Sequence, residues 1–179
     1  MTTTTTPAKQ ETLLELAQAL IPRAQVLEIL LTSAKVRRDT SVEISEEISL
    51  SYNFRIAIAC NEDSSACRVR VTFTLSGSNE QPDESGRDEV FNIEAEFTLF
   101  YKFSTFEGME KKHVEAFGRL NGVFNAWPYW REFVQSSLSR LSLPPVTVPL
   151  LTVSGLQKIY EEQGSKNTEE APLKQTAPD

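Results

Sequence analysis

Apolar and polar residues alternate strictly along three long stretches of the chain. Ile48, Leu50, Tyr52, Phe54, Ile56 and Ile58 alternate with Ser49, Ser51, Asn53, Arg55 and Ala57. Cys67, Val69, Val71, Phe73 and Leu75 alternate with Arg68, Arg70, Thr72 and Thr74. The third stretch runs from Phe91 through Ile93, Ala95, Phe97, Leu99 and Tyr101 to Phe103, with Glu94, Glu96 and Lys102 among the intervening positions. A period of two over this length marks strands with one buried and one wetted face. Short turn-rich links at 61–66 and 77–88 join them, so neighbours are expected to pair antiparallel. On the wet face Arg55, Arg68, Arg70, Glu94 and Glu96 can pair, each exposed pair contributing only about 0–1 kcal/mol. Burial of the other face holds the sheet, at roughly 1.5–3 kcal/mol for each large apolar side chain.

Residues 24–38 also read as a strand, but their apolar residues fall on both parities. Leu27, Ile29 and Leu31 face one way, and Val26, Leu30, Ala34 and Val36 the other. Such a strand is expected to be covered on both faces over part of its length. A helix continuing from the preceding segment is the rival reading, because Leu27, Leu30, Leu31 and Ala34 also fit helical spacing. That preceding segment, residues 11–21, carries Leu13, Leu16, Ala17, Leu20 and Ile21 at helical spacing, and Pro22 should end it. Residues 110–124 predict a further helix, with Val114, Phe117, Leu120 and Phe124 on its apolar face. Residues 125–128 interrupt it. A new helix is predicted from Pro128 to residue 141, since proline is harmless in a first turn. Leu143-Pro144-Pro145-Val146-Thr147-Val148-Pro149-Leu150-Leu151 must run extended. A short helix is expected next, over 154–161, with Ser154 as its N-cap.

The 179 residues suit a single domain, expected over 11–162. Residues 1–10 and 163–179 are expected to be disordered tails of low apolar content. No apolar run reaches the roughly 20 residues of a spanning helix, and the threonine-rich start does not read as a secretory signal. A cytoplasmic protein with no membrane insertion is therefore expected. A formal charge of −7 and the absence of a dense basic cluster disfavour nucleic acid. Cys60 and Cys67 could face each other near a hairpin, but without an export signal two free thiols are expected. The one histidine, His113, lacks the company a zinc site or triad needs and is expected to be solvated or to cap a helix. No nucleotide fingerprint occurs. No cofactor, metal site or enzymatic activity is expected.

The Trp127-Pro128-Tyr129-Trp130-Arg131-Glu132 segment resembles the aromatic-Pro-Tyr-x-Arg-Glu stretch that opens the long helix of the protein-export chaperone SecB family. Residues 143–149 resemble that family's proline-rich stretch after the same helix. The order of elements also matches: four strands, long helix, proline-rich return, short helix. The resemblance covers about residues 24–161. It implies an α+β fold in which a four-stranded antiparallel sheet packs against a long C-terminal helix, here with an added N-terminal helix. It further implies a homotetramer built as a dimer of dimers, with the long helix contributing to assembly. The implied function is an ATP-independent chaperone that holds unfolded or nascent polypeptides in grooves beside the crossover between strands 1 and 2 and the last helix. Delivery to the translocase motor SecA, through acidic residues on the sheet surface, is implied as well.

This chain departs from the pattern in three places. Its crossover at 37–47 is polar, its 77–88 link is long and acidic, and Leu151-Thr152-Val153-Ser154-Gly155 replaces the family's segment before the last helix. A dedicated adaptor or chaperone for one partner, such as an antitoxin-like protein, is the alternative function. The client groove is expected at Val42, Ile44, Leu151, Leu156, Ile159 and Tyr160. Trp127, Tyr129, Trp130, Phe133 and Leu138 are expected in the core or a subunit interface, since clustered aromatics usually anchor packing.

Overall fold

The structure, a computed structural model, describes residues 11–45, 47–80, 88–156 and 159–160. The expected terminal tails and most of the acidic link lie outside the described residues. Helix α1 (Leu13–Leu20) leads through a 3-10 turn at Ile21–Arg23 into strand β1 (Ala24–Arg38). Strands β2 (Ile48–Cys60), β3 (Ala66–Asn79) and β4 (Glu89–Phe103) come next, and then helix α2 (Lys111–Phe117). A π-helical turn (Gly118–Gly122) joins α2 to helix α3 (Val123–Arg140). The chain ends its described course as an extended return over 143–151 and helical residues at 153–156 and 159–160. The expected four-stranded antiparallel sheet, long C-terminal helix and N-terminal helix are all present. Among the described residues no helix is long and apolar enough to cross a membrane.

The sheet order is β1-β4-β3-β2, with every pair antiparallel. Alternation dictates the burial. Val69, Val71, Phe73 and Leu75 of β3 and Ile93, Ala95, Leu99 and Tyr101 of β4 are at most 1 % exposed, whereas Arg68, Arg70 and Lys102 between them are exposed. Trp130 of α3 closes this layer, stacked 5.4 Å from Phe73.

β1 is a strand, not a continuation of α1, and its double parity has a structural cause. Register shifts between Val26 and Glu28 and between Leu31 and Ser33 leave Leu27 and Thr32 as extra residues. Each bulge flips the phase of the residues after it. Val26, Ile29, Leu31, Ala34 and Val36 therefore all stand opposite inward residues of β4, from Tyr101 to Ile93. Among the described residues the expected cover over both faces is absent: Leu27 is 56 % exposed and Leu31 48 %.

The helical segment also differs from expectation. Pro128 lies inside α3 rather than at its start. The irregularity falls earlier, in the π-turn, where the helix comes closest to the sheet. A Cβ on Gly118 would sit 2.5 Å from Ile58 Cδ1, and one on Gly122 2.6 Å from Val69 Cγ1. His113 caps α2, as one of its two expected roles. Its Nδ1 accepts a hydrogen bond from the Glu110 amide at 2.9 Å.

The expectation of free thiols is overturned. Cys60 and Cys67 form a disulfide. The register sets them directly opposite at the end of the β2–β3 ladder, with Cα atoms 4.1 Å apart. Facing residues in a narrow, non-hydrogen-bonded antiparallel pair already direct their side chains together. That register is a product of the β2–β3 pairing and is independent of the compartment.

Candidate functional site

β2 is an edge strand whose apolar face is only partly covered. Its inward residues run Ile48, Leu50, Tyr52, Phe54, Ile56, Ile58, and three cavities lie along them in sequence. The first, about 160 Å³, is walled by Ile48 and Leu50 with Ile44, Leu143, Pro144 and Val146. The second, also about 160 Å³, lies between Tyr52 and Phe54 on one side and Trp127, Trp130, Leu151 and Ile159 on the other. The third, about 420 Å³, is bounded by Ile56, Ile58 and Cys60 against Val114, Lys111 and Arg119. Leu50 and Tyr52 are 38 % and 40 % exposed, high values for large residues on the inner face of a sheet.

The covering segments are pinned by few bonds. Trp127 Nε1 donates to the Pro149 carbonyl and Arg131 Nε to the Val148 carbonyl, each at 3.0 Å. Val148 and Leu143 are buried, so the return is anchored at separate points while Leu150 stands 77 % exposed. Beyond it, the Tyr160 hydroxyl donates at 2.9 Å to the Arg119 carbonyl in the π-turn, and its ring meets Phe54 edge-on at 5.9 Å. Burial pushes the Tyr160 hydroxyl well above the ordinary tyrosine range.

The sequence-predicted client residues separate into two groups. Ile44, Leu151 and Ile159 line cavities, and Tyr160 borders the same path. Val42 and Leu156 do not present surface: they are 3 % and 1 % exposed and belong to the core, where they hold the crossover and the last helical segment down. Of the residues expected in core or interface, Trp130 and Leu138 are each 1 % exposed. Phe133 is half-buried against Trp130. Trp127 is half-buried and lines the second cavity. Tyr129 projects from α3, 49 % exposed, with its ring 6.4 Å from Phe97. The cavity-lining residues absent from the expected groove are those of β2 itself, Leu50, Tyr52, Ile56 and Ile58. Their signal was an apolar stripe longer than the helical cover available for it.

The outer face of the sheet carries a different chemistry. Arg55 pairs with Glu94 at 3.5 Å, and Arg68, Arg70 and Lys102 stand exposed on the same face. The resemblance implied acidic residues there, whereas this face is mixed and rich in arginine.

No family model matches the chain. It is 24% identical over 145 residues to the SecB-like chaperone Rv1957 of Mycobacterium tuberculosis strain H37Rv, spanning 74% of this chain and 80% of that protein. The SecB-like chaperone MT2006 of strain CDC 1551 matches to the same extent. Among solved structures, Rv1957 in complex with a ChAD peptide from the Rv1956 HigA1 antitoxin superposes with a TM-score of 0.66 at 23% identity, covering 76% of this chain and 96% of that one. These relatives and the shared fold support a divergent SecB-like protein.

Proposed function

We propose that the chain is an ATP-independent chaperone that holds an extended polypeptide segment along β2. The observation that carries this reading is the row of three cavities beside a half-covered apolar strand. Scattered apolar contacts of that kind grip an unfolded chain without reading an exact sequence, and the task needs no cofactor and no chemical step. The SecB-like relatives support a chaperone role. The antitoxin peptide bound to Rv1957 favours a dedicated client, antitoxin-like in character, over general protein export. SecA delivery is the weaker reading, because Arg55, Arg68 and Arg70 stand among the acids Glu94 and Glu96 on the outer face, and Arg55 pairs with Glu94.

We further propose a homotetramer. Val26, Leu31 and Val36 on the inner face of β1 are 40–48 % exposed, and Leu31 pairs with Phe97, which itself touches Tyr129. A second copy covering this band would bury it, and several subunits would raise the effective concentration of sites for one client. The test uses the full chain with a chemically denatured model protein, and light scattering without nucleotide reads the aggregation. Wild-type protein should suppress aggregation with a mass near four times 20.1 kDa. Tyr52→Asp with Ile159→Asp should keep that mass and lose most of the suppression. Full suppression by the double variant would refute this site.

A further inference from the structure

The two edges of the sheet are not equivalent. β1 carries two bulges and the charges of Glu28, Lys35, Arg37 and Arg38, devices that blunt an edge against strand pairing. β2 has no bulge and only one charge. Its pairing with β3 runs from Ile48↔Asn79 to Cys60↔Cys67 without a register shift, and Arg55 is its single charged residue. It contains no proline. Among the described residues no strand pairs with its outer side.

The ladder also shows which backbone groups face outward. The Asn61 amide donates to the Ala66 carbonyl at 3.0 Å, so that pair is of the hydrogen-bonded type. Alternation then makes the odd residues of β2 the ones bonded to β3, and turns the amides and carbonyls of Leu50, Tyr52, Phe54, Ile56 and Ile58 to the free edge. Two observations agree. Cys60 and Cys67 are a narrow pair, 4.1 Å between Cα atoms, and the Phe54 amide bonds to the Asn53 side chain at 2.7 Å instead of to β3. The residues whose side chains face the cavities are thus the same ones whose backbone groups face outward.

We propose that a client segment joins the free edge of β2 as a fifth strand, which rests on the client-holding reading above. Backbone bonds to the even residues of β2, apart from the Phe54 amide held by Asn53, would fix it in an extended conformation. Its side chains at every second position would then lie on the cavity side, over Trp127, Leu151 and Ile159 in the middle of the path. This geometry defines the client class: an extended segment, free of proline at its bonded positions, with apolar residues alternating with polar ones.

The test uses the full chain and a fluorescein-labelled decapeptide that alternates Leu, Tyr or Ile with Ser or Lys. Two further peptides carry N-methyl groups, one on all apolar residues and one on all polar residues. In antiparallel addition the apolar residues bond to β2, and in parallel addition the polar residues do. Fluorescence anisotropy should show one methylated peptide weakened at least tenfold and the other within about twofold of the parent. Which one weakens reports the strand direction. Equal behaviour of the two methylated peptides, whether both bind or neither does, overturns strand addition and leaves the client reading intact. Failure of the unmethylated peptide to bind overturns both.

Discussion

Removal of the Cys60–Cys67 disulfide should weaken the fold by an amount that the hairpin itself sets. The bond closes a loop with a sequence separation of 7. Loop-closure entropy for about eight residues is about 8 cal/mol/K, or about 2.5 kcal/mol at 25 °C, most of it exerted on the unfolded chain. For a chain of this size each kcal/mol shifts the melting temperature by roughly 2–4 °C. Reduction, or Cys60→Ser with Cys67→Ser, should therefore lower the melting temperature by about 5–10 °C. The secondary structure should survive, since the Asn61 amide and side chain still bond across the hairpin to Ala66. Thermal melts of oxidised, reduced and double-serine protein measure the loss. Thiol titration of unreduced protein in denaturant establishes the starting state. Two titratable thiols there, or a reduction effect below about 0.5 kcal/mol, would refute the assignment of a stabilising cross-strand bond.

Two single positions give further expected outcomes. Gly122→Ala places a methyl 2.6 Å from Val69 Cγ1. Overpacking of this kind costs about 1–3 kcal/mol, offset by up to about 1 kcal/mol of helix propensity, so a net loss of about 1 kcal/mol should appear in urea melts. A stabilised variant would show that α3 can move away from the sheet freely. Tyr101 is buried and its hydroxyl, which accepts from Asn125 Nδ2 at 3.0 Å, is pushed up to about 12 by burial. A raised folded-state value favours the neutral phenol. The associated stability is therefore fully present below the ordinary value of 10.0 and is lost as pH rises through about 12. Melting temperatures of wild type and Tyr101→Phe should converge as pH rises from about 9 to about 12, the range in which phenols ionise. Parallel curves would count against this origin.

Much of the fold was legible because strand periodicity is a local signal. The boundaries of β1 at 24–38 coincide with the expectation, and the three alternating stretches became β2, β3 and β4. The misread features are non-local. The double parity of β1 reflected two bulges, and a bulge is set by pairing with β4 rather than by the strand's own residues. Pro128 suggests a helix start, because its missing amide hydrogen usually breaks a helix. In the structure the break is the π-turn at Gly118–Gly122, placed where glycines let the helix approach Ile58 and Val69. The candidate site, as cavities along β2, was half legible for a similar reason. Ile44, Leu151 and Ile159 stood out as apolar residues without an evident core role. Val42 and Leu156 had the same pattern but were needed to close the core, a distinction that only packing makes.

The free edge of β2 is a consequence of how the chain covers its own sheet. A segment that crosses beside an edge strand would ordinarily pair with it and satisfy both backbones. The 143–151 return cannot do so along its length. Pro144, Pro145 and Pro149 have no amide hydrogens to donate. Two of its carbonyls, at 148 and 149, are already taken by Arg131 and Trp127 of α3. The return therefore supplies apolar cover at Val146, Val148 and Leu151 while remaining unable to act as a fifth strand. The Trp-Pro-Tyr-Trp-Arg stretch and the proline-rich stretch, which carried the family resemblance, thus act as one device: the first holds the second across the face of the sheet. Replacing the prolines would be expected to let the return pair with β2 and close the path from within. A Pro144→Ala/Pro145→Ala/Pro149→Ala variant should bind the alternating decapeptide at least several-fold more weakly than wild type while melting no lower. Undiminished binding with an unchanged melting temperature would mean that the prolines do not keep this edge open.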